Sequence, residues 1–468
     1  MKKYIKYPIL SFLSLWLLAS CVANKRYERN ADVVENKLYR TDELPKDSLS
    51  WGHLSWREVF TDPLLQQHIS KALENNLDIR IVAQNIIAAE AYLKQSKANY
   101  FPTINVGPNY TFSTQSLNTQ FGRIIGERRY INQFDITGTI NWELDIWGKM
   151  GAQQRAQMAS YLSSVEAHQV VKTDLVASIA TAYYQLLTFD EQKKIIQETI
   201  ALRKRNLETT KALKDAGTLT EVAVQQSEAL VYNAEALLVS IDVQIELLEN
   251  TISLLMGTPS QYIARNANTL QYTPREINTG YAVSLLSNRP DVRMAEYQLI
   301  NAFELTNVAK AQFYPTLRIS GSAGLQSMDI DHFFSVNSFF ANVVTGLLQP
   351  VFNKRQIKTE YEVSQATKEK AYLNFRKTIL NAGKEVSDAM KTYNAQDEII
   401  ALKEKEAKAY QKSVEYSQEL VNYGMANYLE VINASVNALN AELNISNAKF
   451  TKMQASIQLY QALGGGWR

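Results

Sequence analysis

Two halves of this 468-residue chain repeat one pattern, and the internal duplication limits the possible folds more than any other feature. Asp78-Ile79-Arg80 recurs as Asp291-Val292-Arg293. Tyr100-Phe101-Pro102-Thr103 recurs at the same offset as Phe313-Tyr314-Pro315-Thr316. A repeat of about 200 residues is much longer than the unit of a solenoid. The duplication therefore predicts two copies of one structural half.

The longest predicted elements are two proline-free helical stretches, 148–216 and 354–423. Each would extend about 100 Å as one unbroken helix, since an α-helix rises about 1.5 Å per residue. Gly217 and Gly424 follow these stretches at the position of a left-handed cap, so we interpret them as helix-tip turns. The helices that return from the two turns cover 219–256 and 426–463.

Alternation of polar and apolar residues predicts four strands, two in each half. They follow helical segments over 62–99 and 290–312, each ending near a Pro-Thr pair, because proline disfavours helical backbone in the preceding residue. The fourth strand is ambiguous, since apolar residues occupy both of its faces, for example Phe339 and Phe340. The predicted strands cover 103–114, 132–145, 317–326 and 338–349, with polar loops near 115–131 and 327–337.

The N-terminus carries the features of an export signal. A lysine-rich start precedes an apolar run that is too short to span a bilayer but is typical of a signal peptide, here over residues 1–20. Cys21, the only cysteine, follows at once in Leu18-Ala19-Ser20-Cys21. This string resembles the lipobox of bacterial lipoproteins, which implies that Cys21 is acylated and becomes the first mature residue. A buried free cysteine, or a secretory signal cleaved nearby, is the alternative.

The alternating segments fit two kinds of sheet. The pattern is typical of a half-buried sheet in a soluble protein and also of strands that cross a membrane in a tilted barrel. The neighbouring sequence favours the membrane interpretation, because the strands adjoin very long helices in a chain with an export signal. Trp142 and Trp147 also lie near a strand end, where an aromatic girdle would be expected. Known transmembrane barrels start at about eight strands, so four strands require oligomerisation, and three copies would supply twelve.

Charge and motif content exclude several classes of function. The formal net charge is only +2, so no basic excess favours nucleic-acid binding. One cysteine allows no internal disulfide framework and no multi-cysteine metal site. Gly464-Gly465-Gly466 lacks the Lys-Ser/Thr of a phosphate loop. The four histidines are isolated in sequence: His53, His68, His168 and His332. We therefore expect no enzymatic activity, no bound metal and no cofactor.

Several longer motifs stand out: Trp142-Glu143-Leu144-Asp145-Ile146-Trp147-Gly148-Lys149, Asn288-Arg289-Pro290-Asp291-Val292-Arg293, Phe313-Tyr314-Pro315-Thr316 and Gln349-Pro350-Val351-Phe352. With the duplication, they resemble the TolC-like outer-membrane efflux channels, in particular the lipidated branch that serves multidrug efflux systems. The resemblance implies a mainly α fold with a transmembrane β-barrel portion, in which a homotrimer forms a 12-stranded barrel and a long helical periplasmic tunnel. It also implies a place in the cell outer membrane, in contact with its lipid.

The same resemblance implies a domain division. It comprises a signal peptide (1–20), a lipidated N-terminal segment with an equatorial part (21–61), a first efflux repeat (62–257), an equatorial insert (258–289) and a second efflux repeat (290–468). The family's partners are a periplasmic adaptor, or membrane fusion protein, and an inner-membrane resistance-nodulation-division pump.

The resemblance further implies a gate at the helix tips. In the family, acidic residues after the second-half turn help to hold the closed end, and Glu430 matches one such position. Asn433 occupies the position where the family can have a second carboxylate, so this chain departs from the double acidic ring of the family. Glu221, beside the first-half turn, is a third candidate. Three copies of Glu430 facing the axis would attract cations, and an ordinary exposed glutamate is the alternative.

We therefore expect an outer-membrane exit duct that passively conducts drugs or other small molecules from an adaptor and pump to the exterior. A channel for type I protein secretion or metal efflux is the alternative within the same fold. A lipid-anchored structural coiled-coil protein is the alternative from another class, but it should keep heptads throughout and lack paired alternating segments.

Overall fold

The computed structural model describes residues 25–29, 38–39, 50–266 and 284–468, and these are mainly helical. The helices are α1 (Trp56–Val59), α2 (Pro63–Asn75), α3 (Leu77–Ala98), α4 (Gln120–Ile125), α5 (Lys149–Asp215), α6 (Glu221–Leu255), α7 (Leu285–Asn288), α8 (Pro290–Ala311), α9 (Gln356–Asn422) and α10 (Tyr428–Ala462). The strands are β1 (Thr103–Thr114), β2 (Tyr130–Leu144), β3 (Thr316–Ser327) and β4 (Phe339–Leu348). Short 3₁₀ turns lie at Trp51–His53, Ile330–His332 and Val336–Ser338. The predicted signal peptide over residues 1–20 and Cys21 fall outside the described residues.

Most equivalent elements of the two halves have equal lengths, although β2 contains 15 residues and β4 contains 10. α3 and α8 each contain 22 residues, and β1 and β3 each contain 12. α5 and α9 each contain 67 residues, and α6 and α10 each contain 35. These equal lengths confirm the duplication, and the predicted strands and long helices are confirmed to within a few residues at their ends.

The predicted helical segment 62–99 is wrong in one respect, because it breaks at Asn76 into α2 and α3. The backbone of Asn76 leaves the helical region, with φ −57° and ψ 132°. Its side-chain oxygen accepts a hydrogen bond from the Ile79 amide (3.1 Å), and its side-chain amide donates to the Leu255 carbonyl (2.9 Å). An asparagine side chain that bonds nearby backbone groups competes with the helical ladder, so Asn76 ends one helix and caps the next.

The chain divides into two compact units, and each takes residues from both halves. Of the described residues, the sheet unit comprises 25–29, 86–163 and 296–374. The helical unit comprises 38–39, 50–85, 164–266, 284–295 and 375–468. Four helices, α3, α5, α8 and α9, have residues in both units. Among the described helices, none combines the length and the apolar character needed to cross a membrane.

The sheet unit holds one antiparallel sheet in the order β1-β2-β3-β4. The register of the sheet shows which residues of the ambiguous fourth strand lie on the apolar face. Phe339 pairs with Leu325, and Leu325 pairs with Ile136, which belongs to the apolar face. The odd-numbered residues of β4 therefore join the apolar face, and Phe340 joins the polar one. The central β2–β3 pair joins the two halves, and β1 and β4 are the edge strands within the described chain.

The core of the helical unit is rich in tyrosine. The Tyr460 ring meets Trp51 and Phe60 edge-on, with centroids 5.6 and 5.9 Å away. Tyr183 is fully buried and donates a hydrogen bond of 2.8 Å to Asp62, which also caps α2. Aromatic rings bury a large apolar area, and a hydroxyl that finds a partner avoids the cost of an unsatisfied polar group. Part of the high tyrosine content therefore builds the core.

Candidate functional site

The tips of the two long helical hairpins have the same turn geometry. Gly217 and Gly424 have φ values of 77° and 70°, in the left-handed region that glycine adopts without a steric cost. After each helix, a backbone hydrogen bond from beyond the glycine reaches back to the last turn. Thr218 donates to the Leu213 carbonyl (2.9 Å), and Met425 donates to the Leu420 carbonyl (2.8 Å). This pattern ends a helix and satisfies its last carbonyls, so the chain can reverse within a few residues.

Glu430 lies in the first turn of α10, just after the second tip. Its side chain is exposed, and its carboxylate has no hydrogen-bond or ion-pair partner among the described residues. Asn433 is exposed one turn further along the same helix. The N-terminus of α10 is capped by Asn427, whose side chain accepts a hydrogen bond from the Leu429 amide (3.1 Å). Glu430 therefore presents an exposed carboxylate without an ion-pair partner at the tip.

Glu221 occupies the corresponding first turn of α6, but its charge is engaged. Gln225 donates a hydrogen bond of 3.0 Å to its carboxylate, and the Lys214 ammonium lies 3.3 Å away. The Gln225 hydrogen bond and the Lys214 cation lower the pKa of Glu221. The two acidic candidates therefore lie in different electrostatic settings, which their sequence positions do not reveal.

A buried hydroxyl cluster ties the two hairpins together near the tips. The Tyr428 hydroxyl lies 3.1 Å from the Thr210 hydroxyl and 2.5 Å from the Ser227 hydroxyl. These residues come from α10, α5 and α6, and Tyr428 also packs with Val421 and Ala223 in a small apolar cluster. Sequence analysis missed this cluster, because three hydroxyl residues far apart in the chain form no local motif. We call it the tip hydroxyl cluster.

The connector between β2 and α5 contains the Trp142–Lys149 motif. Trp142 donates its indole N–H to the Tyr100 carbonyl (2.9 Å), and Trp147 donates to the Pro315 carbonyl (2.7 Å). The carboxylate of Asp145 accepts bonds from the Met150 and Gly151 amides at 3.0 and 2.9 Å, which caps the 67-residue helix α5. The motif thus anchors the strand to the helix.

Arg155, in the polar run Gln153-Gln154-Arg155 near the start of α5, forms an ion pair with a buried carboxylate. The Arg155 guanidinium bonds both oxygens of Glu304 at 2.8 Å, and the Glu304 side chain is only 3% exposed. Asn301 donates a hydrogen bond to the Ala156 carbonyl (2.7 Å) beside this ion pair. A buried carboxylate requires such a partner, so this pair fixes α8 of the second half against α5 of the first.

The Asn-Arg-Pro-Asp motif at the start of α8 also has a structural role. Arg289 is buried, and its guanidinium bonds Asp291 (2.7 and 3.0 Å), Glu385 (2.7 Å) and the Ala462 carbonyl (3.0 Å). Burial opposes the Arg289 charge, but the carboxylates of Asp291 and Glu385 outweigh it and raise its pKa. Pro290 is the first residue of α8, a position where its missing N–H costs nothing. The motif joins α8, α9 and α10 within the helical unit.

Residues 25–29 form a strap along α8 in the sheet unit. Lys25 accepts a bond from the Asn307 side chain through its carbonyl (3.0 Å), and Arg29 bonds Glu296 through its Nε (2.6 Å). Residues 25–29 therefore run along α8. Arg29 lies near the start of α8, and Lys25 lies near its end, which precedes β3. Within the described residues, no cluster of three or more His, Cys, Asp or Glu side chains is arranged to hold a metal ion.

The chain is similar to known outer-membrane efflux proteins over most of its length. It shares 27% identity over 415 residues with the toluene efflux pump outer membrane protein TtgI of Pseudomonas putida, covering 88% of this chain and 87% of that protein. It shares 24% identity with the probable outer membrane lipoprotein SilC of Salmonella typhimurium, covering 99% of each chain.

A solved structure has the same fold. The outer-membrane channel OprN superposes with a TM-score of 0.86 at 22% sequence identity, covering 95% of this chain and 99% of that one. The resemblance to outer-membrane efflux channels is confirmed, although these matches do not address the lipidated branch. The expected outer-membrane location and efflux role are confirmed as well. Residues 68–258 and 282–465 match the outer membrane efflux protein family, and the chain therefore belongs to that family.

Proposed function

We propose that this protein is the exit duct of a tripartite efflux system, in which a homotrimer passively conducts drugs or other small molecules to the exterior. Three sheets would close into one 12-stranded barrel, and the paired long helices would line a periplasmic tunnel. A periplasmic adaptor and an inner-membrane resistance-nodulation-division pump would deliver the cargo. We also retain as a proposal the division into repeats 62–257 and 290–468, separated by an insert at 258–289.

The observation that carries this proposal is the sheet of a single chain. One of its faces is apolar and exposed, as Ile104 (68%) and Val106 (72%) illustrate. The other face presents mainly polar residues from β1 to β3, such as Asn105 opposite Thr139. An exposed apolar surface of this kind marks contact with a membrane or a partner. In lipid each unpaired backbone group costs several kcal/mol, so the edges of β1 and β4 need strands from other copies.

Lipid anchoring at Cys21 is part of the same proposal. Cys21 precedes Lys25 by four residues, and four residues of fully extended chain span at most about 14 Å. The strap places Lys25 beside Asn307, close to the end of α8 and to the start of β3. An acyl chain at Cys21 would therefore reach the same bilayer that the strands cross. The name of SilC, a probable outer membrane lipoprotein, agrees with this assignment.

Assembly and transport test the proposal together. The protein purified in mild detergent should migrate as a trimer when unheated and as a single chain after boiling. Cells that lack the gene should accumulate a fluorescent efflux dye, and a plasmid copy should restore the low level, while the pattern of secreted proteins stays the same. A stable monomer in detergent would reject the barrel. Unchanged dye levels together with a lost secreted protein would favour the secretion channel instead.

A further inference from the structure

Charged residues are rare on the polar face of the sheet. In the described strands this face carries Asp135 and Glu143 of β2 and Arg318 of β3, so Arg318 is the one cation that a strand places there. Asp135 lies eight residues before Glu143 along β2, which corresponds to about 26 Å at about 3.3 Å per residue. Arg318 and Glu143 therefore form a separate charged group, at the end of the sheet that adjoins the helices.

The register of the sheet leaves Arg318 open on one side. It pairs with Glu143 of β2 on one side and with Gly346 of β4 on the other. A Cβ atom added at Gly346 would meet no other atom within 4 Å, so nothing from β4 covers the guanidinium. The Arg318 side chain is accordingly 56% exposed.

The carboxylate of Glu143 is shared between two cations. Its Oε1 accepts a hydrogen bond from the ammonium of Lys149, the first residue of α5. The Arg318 guanidinium lies 3.9 Å from its Oε2, which is beyond hydrogen-bond distance. Arg318 makes no hydrogen bond to the described residues. One carboxylate cannot balance two cations, so one positive charge per chain stays uncompensated here.

These three charged residues line one cavity of about 680 Å³, which we call the sheet-base cavity. Other charges nearby are engaged elsewhere and do not line it. The Asp145 carboxylate caps α5, and Arg155 pairs with the buried Glu304. The positive charge of Arg318 is therefore available to whatever enters the cavity.

The rest of the lining supplies further hydrogen-bond donors. Gln95, Asn99, Asn141 and Gln153 each place an amide side chain in the wall, and such a group can donate hydrogen bonds. A guanidinium can donate two parallel hydrogen bonds to one anionic group. The volume lies in the range of small-molecule sites, which is about 300–1,000 Å³. This combination of size, donors and charge fits a small organic anion.

We propose that the sheet-base cavity binds the anionic group of small organic molecules, such as carboxylates and sulfonates, with Arg318 as its anchor. This inference rests on the proposed function, because the polar face of the sheet would line the lumen of the trimeric barrel. Three copies of the site would then surround the pore at the base of the barrel. Glu143 competes with the ligand for the guanidinium, which keeps binding weak enough for cargo to leave.

Block of the channel current tests the site. Naphthalene disulfonate, added to the purified trimer in planar bilayers with potassium chloride, should reduce the single-channel current of the parent protein. Arg318→Gln should raise the half-blocking concentration roughly tenfold, because charged hydrogen bonds to the sulfonate are lost. The control is Arg355→Gln, since Arg355 is already bonded by Glu362 at 3.0 Å and does not line the cavity. The control should be blocked as the parent is.

A second substitution should act in the opposite direction. Glu143→Gln removes the competing carboxylate and should lower the half-blocking concentration. A purely structural role of the two residues would not give effects of opposite sign, so weaker block in Glu143→Gln would overturn the proposal. A trimer that conducts but shows no block, or equal block in Arg318→Gln and the parent, would overturn the site and leave the duct intact. Absence of any conducting trimer would remove both.

Discussion

At the residue scale, the two tip glutamates differ in what surrounds their carboxylates. The Glu221 carboxylate accepts a hydrogen bond from Gln225 and lies near the Lys214 ammonium, so its negative charge is balanced by a cation of its own hairpin. Glu430 is exposed in the first turn of α10, with no such cation beside it among the described residues. A ring of uncompensated carboxylates in a narrow pore concentrates cations and repels anions. Of the gate candidates, Glu430 is therefore the one we expect to control ion selectivity.

Neutralising Glu430 gives the first prediction at this scale. Glu430→Gln should lower the cation-to-anion permeability ratio of single channels in planar bilayers, because the ring charge is removed with little change in volume. Glu221→Gln is the matched control and should change the ratio less, since Lys214 already compensates that carboxylate. Unchanged conductance and selectivity in Glu430→Gln would show that this glutamate is an ordinary surface residue.

At the element scale, the structure depends on contacts that join helices distant in sequence. The tip hydroxyl cluster links α10 to α5 and α6 through Tyr428. The Arg289 cluster ties the start of α8 to α9 and α10. Each contact lies at a helix end or beside a turn, where backbone groups lack helical partners. Stability at the tips therefore depends on a few buried polar groups.

Removing one hydroxyl from the tip cluster should loosen the tips. Tyr428→Phe deletes a buried hydrogen-bonding group at a cost of about 1 kcal/mol, which corresponds to roughly fivefold faster local opening. Hydrogen exchange of peptides covering 417–431 measures this rate. Tyr423→Phe is the control, because Tyr423 is 72% exposed and should exchange as the parent does. Equal exchange in both variants would mean that the cluster does not hold the hairpins together.

At the scale of the whole molecule, one chain presents two kinds of incomplete surface. The sheet has two edges without a strand partner in the described chain, and its apolar face is exposed. In the trimer that we propose, copies of the same chain would pair with the sheet edges and the bilayer would cover the apolar face. Lipid attachment at Cys21 is independent of the barrel, because the strands, and not the acyl chain, would span the membrane.

Replacing the lone cysteine separates anchoring from assembly. Cys21→Ala should abolish incorporation of labelled fatty acid, because the chain has no other cysteine to acylate. The heat-modifiable trimer should persist, since its contacts lie in the sheet and the helices. Labelled lipid in the variant would refute the lipoprotein assignment. Loss of the trimer together with the label would show that the anchor is needed for assembly.

Local patterns account for most of what the sequence predicted correctly. β1 was predicted at 103–114 and is found at Thr103–Thr114, because polar and apolar residues alternate there without interruption. The long helices end at Gly217 and Gly424, because glycine adopts the left-handed turn that follows each of them. The break at Asn76 is not predicted, since the Asn76 side chain combines a local cap on Ile79 with a bond to Leu255, far away in the chain.

Taken by itself, the amino-acid sequence determined the duplication, the order of elements, the efflux family and the location of the tips. These follow from periodicity and from residues that act on their immediate neighbours. Only the tertiary structure decided the face of β4, the buried pairing of Arg155 with Glu304, the tip hydroxyl cluster and the difference between Glu221 and Glu430. The physical reason is that register, burial and charge compensation depend on groups that are distant in sequence and meet only when the chain has folded.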